Sequence, residues 1–533
     1  MPTAAELLRY GRKKEIWMKY CGFLDLNINE FSAIQERLLL EQMTILNNSI
    51  MGKKLLNNQK ITNIDEFRQI IPLTSYVDYE EHFEKQEDDV LPVKAYLWAH
   101  TSGRSGRFKW VPYTQYAYHK LGERVLSGVI LAAARHKGDV RIDERDTLVY
   151  NTPPRPYISG VALRALAEHF NFRFIPSLDE TEEMDFQERI AKGFDAALIS
   201  GIDVLGSLSV VLVKMGERFA EGAHSTKLSA KLLHPKALVR LLTGYIRSKV
   251  ERRNLLPKDL WKLKALPCGG MDTSIYRDQI AHYWGIQPYE QYGSTEEGSI
   301  ATQGWNKKGM TFFPDAAFLE FVPDDEWIKW KSDPDYIPET KLINEVETNK
   351  LYEVVITNYY GKPFLRYRMN DIVMFNALQD DETGVNLPQV EFVGRTNDLI
   401  DLSGFTGLID EKMVWQSIVD TDIPFREWTI RKEEIKGRSL LHLYIELEEP
   451  VDGEVVCTKV HENLKVLNPF YADYERMIND RPLKVTLLAP NTFQSYTQEM
   501  QTAGADLAHL KPPHMNPSKD ILNMLLRFNN RSD

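Results

Sequence analysis

The chain has 533 residues, long enough for two or more domains, and its 43% hydrophobic and 26% charged residues are the balance of a soluble globular protein. A net charge of −11 argues against a nucleic-acid-binding surface. The three cysteines, Cys21, Cys268 and Cys457, lie too far apart to suggest a disulfide framework or a cysteine zinc site.

The N-terminus, MPTAAELLRYGRKKEIWMKY, alternates apolar and charged residues and lacks the apolar run of a signal peptide. A cytoplasmic location is therefore expected. The next helical signal is NEFSAIQERLLLEQMTILNNSI, with apolar residues at helical spacing. Pro72 precedes a short helix in IIPLTSYVDYEEHF, and VKAYLWAH predicts a strand. The longest apolar run, Val125–Ala134, is about half a membrane span and predicts a buried helix, with no membrane partner.

From there strands and helices alternate. DTLVYN, FRFIPS and DAALIS predict strands, while GVALRALAEHF, ERIAKGF and DVLGSLSVVLVKMGERF predict helices. That order is the α/β pattern of a mostly parallel sheet. The acidic run Ser177–Asp185 reads as a solvated loop. After Leu351 the texture changes: LYEVVITNYY and IVMFNAL predict strands, MVWQSIV a helix, FREWTIRKEE and SLLHLYIELEE a strand pair, and DILNMLLRF a terminal helix. The expected fold class is α/β, with a large domain over residues 1–396 and a smaller, mobile α+β domain over 397–533.

Four segments carry chemistry-bearing residues. Thr101-Ser102-Gly103-Arg104-Ser105-Gly106-Arg107-Phe108-Lys109 follows a predicted strand. Its glycines free backbone N–H groups to point at one spot, its hydroxyls add donors and its cations add charge. That suits a polyphosphate, and it equally suits a surface loop; neither a P-loop nor a nucleophile elbow can be laid on it. The second runs from Gly269-Gly270 through a helix to Gln291-Tyr292-Gly293-Ser294-Thr295-Glu296. A tyrosine before glycine offers a flat ring to a purine, and a Glu beside a Thr hydroxyl suits a divalent metal on phosphate oxygens; the alternative is a turn with a solvated Glu296-Glu297 pair. The third, PFLRYRMNDIVMF, puts Asp371 at the start of a strand, as a ribose-binding carboxylate or a turn residue. The fourth, Glu391–Glu411, has the polar, glycine-punctuated composition of a hinge.

Taken together and in order, these segments resemble the core motifs of the adenylate-forming superfamily. TSGRSGRFK resembles its T-S-G-T-[TS]-G-x-x-K except at Arg104, YGSTE matches Y-G-x-T-E, YRMND resembles Y-R-x-G-D with Asn370 for glycine, and GRTND resembles G-R-x-D. EFRQIIPLTSYVDYEEHF and the tail NTFQSYTQEMQTAGADLAHLKPPHMN are similar to segments of the GH3-type acyl acid amido synthetases, and related amide-forming ligases share the plan.

The resemblance implies an ATP- and Mg²⁺-dependent ligase. It would activate a small carboxylic acid as acyl-AMP and pass it to an amine, giving an amide. An acid–thiol ligase feeding coenzyme A or a carrier protein, or a non-catalytic nucleotide-binding relative, are its alternatives. It further implies roles. Thr101, Ser102, Gly103, Arg104, Ser105, Gly106 and Lys109 would line the β- and γ-phosphates. Tyr292, with Gly293 and Ser294 in its motif, would stack on adenine, and Gln291 or the Gly269-Gly270 backbone would read its edge. Glu296 would hold Mg²⁺, Thr295 would lie by the α-phosphate, Asp371 and Arg395 by the ribose. Lys511 would be the lysine of the tail that reaches the site during adenylation. The acid would lie against the helix around Tyr116–Leu131 and the segment Tyr157–Gly160.

Overall fold

The strand that precedes the glycine loop is shorter than expected. β1 is Leu97–His100, and it pairs antiparallel with β2, Trp110–Tyr113, from Leu97↔Tyr113 to His100↔Trp110. The computed structural model describes residues 2–101, 109–221, 234–269, 273–333, 335–400, 402, 408–435, 438–502 and 513–529. Ser102–Phe108, Gly270 and Lys511 therefore lie outside the described residues.

The large sheet contains β3 (Thr147–Tyr150), β4 (Arg173–Ile175), β5 (Val204–Leu208), β6 (Pro267–Gly269), β7 (Tyr289–Ser294), β8 (Gly298–Gln303), β9 (Met310–Phe312), β10 (Ala317–Pro323), β11 (Leu351–Asn358), β12 (Tyr367–Ala377) and β13 (Gln389–Arg395). Its order is β10-β11-β12-β13-β9-β8-β7-β6-β5-β3-β4. β4, β3, β5, β6 and β7 run parallel, and β7, β8, β9 and β13 pair antiparallel. The parallel part is covered by the helices Phe186–Ser200, Ser209–Ala220 and Thr273–Trp284, which close over Val149, Leu205 and Cys268 with Trp261 and Trp284. Such burial of central strands explains their continuous apolar runs.

Two expectations are corrected here. DAALIS is not a strand but the second half of the helix Phe186–Ser200. Phe194, Ala197 and Leu198 recur at helical spacing and pack together in that core, which is the pattern of a helix face. Conversely, DVLGSL is not helical. Val204 and Leu205 pair with Leu148 and Val149, and the helix begins only at Ser209. The acidic run Ser177–Asp185 holds a short 3₁₀ turn, Glu180–Glu183, in which Thr181 is buried and Glu182 pairs with Arg155 and Arg164.

The chain forms two compact units. One comprises Met1–Val322, Thr340–Met369 and Met374–Phe392; the other comprises Pro323–Glu339, Asn370–Val373 and Val393–Asp533. In the second, β14 (Phe425–Ile435) and β15 (Arg438–Leu447) form the expected antiparallel pair, and β16 (Leu483–Leu488) adds in parallel. Leu441, Leu443 and Ile445 of β15 face one core with the helices Glu411–Val419, Gly453–Leu467 and Pro469–Ile478. Tyr444 faces the other way, onto Phe493, Tyr496, Leu522 and Leu525. That is the period-2 alternation of a strand covered on both faces. Among the described residues no helix is long and apolar enough to cross a membrane, and all three cysteines are free and buried.

Candidate active site

In the larger unit, β1 and β2 bring the two ends of the glycine loop together. The Thr101 N–H donates to the Lys109 carbonyl at 3.1 Å, and the Lys109 N–H donates to Thr101 Oγ1 at 3.2 Å. The Lys109 ammonium lies 5.1 Å from the centre of the Tyr76 ring. The Tyr76 hydroxyl is fixed in turn by the Trp110 backbone, which both donates to it (2.8 Å) and accepts from it (3.2 Å). Burial, with the charge of Glu296 contributing, pushes that phenol up to about 12. Lys109 and Glu296 therefore share a neighbourhood through Tyr76.

The YGSTE loop between β7 and β8 is fastened from below. Glu297, which the alternative reading put in a solvated turn, is buried. Its carboxylate accepts from Arg124 Nη2 at 2.9 Å, Asn358 Nδ2 at 2.6 Å and Lys362 Nζ at 3.1 Å. Lys362 also donates to the Glu296 carbonyl at 2.6 Å and sits 4.0 Å from the Tyr113 ring centre, while the Tyr113 hydroxyl donates to the Thr295 carbonyl at 2.9 Å. Burial draws the Lys362 ammonium below its usual range, and the Glu297 carboxylate opposes that pull. Gly298 closes the loop at φ +83°, where a Cβ would meet Leu121 Cδ1 at 2.5 Å.

This fastening leaves the Glu296 side chain half-buried, its Oε1 accepting from the Tyr367 hydroxyl at 3.2 Å. One hard carboxylate held beside a hydroxyl is a donor set that suits Mg²⁺, which usually takes one or two carboxylates and completes its shell with phosphate and water. Tyr292 and Gln291 point to opposite faces of β7. Tyr292 is buried, its ring 5.7 Å from Phe392 and its hydroxyl 3.7 Å from the Met369 sulfur. Gln291 donates to the Arg124 carbonyl at 3.2 Å and packs against Gly128. Its amide is thus engaged with the helix Gln115–Ala133. Gly269 ends β6, so its backbone stands at the carboxyl edge of the parallel strands, where α/β sheets bind ligands.

In the smaller unit, Asp371 is not at the start of a strand: β12 begins four residues earlier, at Tyr367. Asp371 is buried and its Oδ1 lies 3.3 Å from Arg395 Nε, so the two residues expected at the ribose do meet. Thr396 Oγ1, next in the chain, lies 3.4 Å from Asn370 Oδ1.

Three models of a single family match the chain in consecutive order: the GH3 N-terminal domain at residues 22–167, the central domain at 310–395 and the C-terminal domain at 414–520. The chain belongs to the GH3 family. Among curated GH3 proteins it is similar to a jasmonoyl–L-amino acid synthetase of Oryza sativa subsp. japonica, 24% identical over 294 residues, 50% of this chain and 48% of that one. It is also similar to an indole-3-acetic acid-amido synthetase of Arabidopsis thaliana, 25% identical over 230 residues, 40% of this chain and 36% of that one. The alignments thus span about half or less of the length of these relatives.

The fold is that of the solved acyl acid amido synthetase AtGH3.15 in complex with 2,4-DB, with a TM-score of 0.66 at 16% identity over 95% of each chain. A 2-hydroxyisobutyryl-CoA ligase in its postadenylation state follows, with a TM-score of 0.59 at 13% identity over 95% of this chain and 93% of that one. The GH3 architecture thus resembles both an amide-forming and a thioester-forming relative. The residues that the motifs did not reveal are Arg124, Asn358, Lys362 and Tyr367. YRMND contains Tyr367, but only the folded sheet sets its hydroxyl on Glu296.

Proposed function

We propose that this GH3 protein is an acid–amino ligase that uses ATP and Mg²⁺ to convert a small carboxylic acid into an acyl-AMP and then transfers the acyl group to an amine. A carboxylate is a poor acyl donor because oxide is a poor leaving group. Attack of its oxygen on the α-phosphate expels pyrophosphate and installs AMP as a good one. The amine nitrogen then attacks the acyl carbon, AMP departs and the nitrogen loses a proton.

The first step joins two anions, so oriented donors and positive charge are needed where charge develops. We assign the β- and γ-phosphates to the Thr101–Lys109 loop, adenine to the Tyr292 ring with the Gly269-Gly270 backbone at its edge, and the ribose hydroxyls to Asp371 beside Arg395. Glu296 is assigned to Mg²⁺, which would neutralise phosphate charge, with Thr295 near the α-phosphate. Residues 1–396 would carry the ATP and acid sites, and 397–533 would act as the lid that brings Lys511. The pocket for the acid is assigned to the helix around Tyr116–Leu131 and to Tyr157–Gly160, whose Tyr, Leu, Val and Gly suit an aromatic or medium aliphatic acid.

The observation that carries this reading is the buried Arg124–Glu297–Lys362 cluster under the YGSTE loop in a chain of the GH3 family. It holds rigid the backbone on which Thr295 and Glu296 stand, which is what a preorganised phosphate site requires. The likeness to a 2-hydroxyisobutyryl-CoA ligase supports a second reading, transfer to a thiol. Acid-dependent exchange of label between pyrophosphate and ATP, screened over aromatic and aliphatic acids, tests the first step. Product formation with amino acids and with coenzyme A in parallel tests the second. No exchange with any acid would overturn the ligase.

A further inference from the structure

We propose that the protein binds a Zn²⁺ ion between two helices, on His119, Glu123 and His169. This is independent of the ligase reading. His119 and Glu123 are four residues apart on the helix Gln115–Ala133 and so share a face; His169 ends the neighbouring helix Ile158–His169. One nitrogen from each imidazole and one carboxylate oxygen lie within 4.8 Å of one another.

The two helices come this close because Gly122 is at their crossing. A Cβ there would stand 2.5 Å from both the Ala165 carbonyl oxygen and His169 Cδ2. The imidazole rings meet with centroids 4.4 Å apart. His169 is buried, and its Nε2 lies 3.0 Å from the His119 carbonyl oxygen. A carbonyl only accepts, so Nε2 carries the proton and Nδ1 carries the lone pair. A metal would take the Nδ1 lone pair once the ring turns it inward, or Nε2 once that nitrogen gives up the carbonyl contact.

The carboxylate is shared in a way that leaves one oxygen for a metal. Glu123 Oε2 pairs with Lys120 Nζ at 3.0 Å, while Oε1 lies 3.7 Å from His119 Nε2 and 3.9 Å from Lys19 Nζ. Two imidazoles and one carboxylate with a position left for water form a common zinc donor set. With metal–ligand bonds of about 2.0–2.1 Å, tetrahedral donors stand roughly 3.3 Å apart, so the cluster must draw in by up to about 1.5 Å. His119, with its side chain 52% exposed, has the freedom to do so. The two ammonium groups oppose the ion's charge, so micromolar rather than nanomolar affinity is expected.

The test is titration of the full chain with Zn²⁺ against a chromophoric chelator, and with Co²⁺ by its visible d–d absorption. One ion per chain is expected, with a rise in Tm on saturation. Affinity should fall at least ~10-fold in His119→Ala and in Glu123→Gln, the range seen when groups at a metal centre are removed. Both side chains are on the surface side of the cluster, and unchanged circular dichroism and Tm without metal would show that these variants fold. Lys19→Met removes an opposing charge beside Oε1 and should tighten binding. Absence of stoichiometric binding, or binding untouched by His119→Ala and Glu123→Gln, would overturn the site.

Discussion

Lys362 Nζ lies 3.1 Å from Glu297 Oε2, and both side chains are almost wholly removed from solvent, at 1% and 2% exposure. A buried ion pair is costly to break, because the remaining partner is left charged and dry. Lys362→Met should therefore destabilise the larger unit by about 3–5 kcal/mol. Glu297→Gln in the same chain should restore part of that loss, since the amide carries no charge. Denaturant unfolding of the single and double variants gives the coupling energy. Additive losses would show that the pair is not a unit.

At the Glu296 carboxylate the effect should be chemical rather than structural. Glu296→Gln is expected to slow acid-dependent pyrophosphate exchange at least ~100-fold, the order found when a main electrostatic contact to a transition state is lost. Unfolding should be little changed, since the side chain is only half-buried. Burial and the Glu296 charge push the Tyr367 phenol well above its usual range, so it stays a donor at any working pH. Tyr367→Phe should then cost less than Glu296→Gln and raise the Mg²⁺ concentration needed for half-maximal rate. A Glu296→Gln enzyme of normal rate would remove the metal role.

Asp371 and Arg395 make a different prediction. Ribose contacts exist in ground and transition states alike, so Asp371→Ala should raise KM for ATP with kcat nearly kept. Their 3.3 Å pairing means that the change also releases the arginine. Arg395→Ala should therefore shift KM in the same direction, and the double variant should fall short of the sum. A loss confined to kcat in Asp371→Ala would instead place this pair at the reacting atoms.

What the sequence made legible was what local pattern controls. The helix Ile28–Leu46 and the hairpin of β14 with β15 follow from spacing alone, and the motif order pointed to the family. DAALIS failed because its short apolar run, Ala196 to Ile199, fits a strand or a helix equally, and only the preceding turn at Phe194 decides. The alternative of a solvated Glu296-Glu297 turn stayed open in the sequence because the dipeptide is as polar on a surface as in a buried cluster. What separates them are Arg124, Asn358 and Lys362, which lie 173, 61 and 65 residues away in the chain. Charge compensation at that range leaves no local trace.

Lys307 supplies a pH dependence of stability. Burial, with Arg277 nearby, draws its ammonium from the ordinary 10.5 down to about 8, and its Nζ donates to the Gln287 carbonyl at 3.2 Å. Below pH 8 the group is charged in folded and unfolded chains alike, and its burial cost is present in full. Between pH 8 and 10.5 the folded chain sheds its proton first, so this group's contribution to stability rises with pH. Lys307→Met should stabilise the protein at pH 7 by roughly 2 kcal/mol, the shift discounted for the lost hydrogen bond. That advantage should shrink towards pH 10. Tm measured on both chains across this range checks it, and a constant difference would mean that the lysine is not strained by burial.

The last prediction separates the two half-reactions. In two-step enzymes of this plan, one face of the small domain serves adenylation and another serves transfer. We assign Lys511, by its place in the tail, to the adenylation face. The described residues that follow it are anchored. His514 lies 2.6 Å from both Glu411 and Glu427 and stacks on Trp428, and Ile430 donates to its carbonyl at 2.7 Å. Lys511→Ala should slow formation of the adenylate, because the cation at the departing pyrophosphate is gone. It should leave transfer from a supplied acyl-AMP nearly intact, since that step has no pyrophosphate to stabilise. The measurement is pyrophosphate exchange beside single-turnover transfer from chemically made acyl-AMP, offered an amino acid or coenzyme A. Equal loss in both half-reactions would make Lys511 structural. Product with coenzyme A and with no amine would replace the amide synthetase by an acid–thiol ligase.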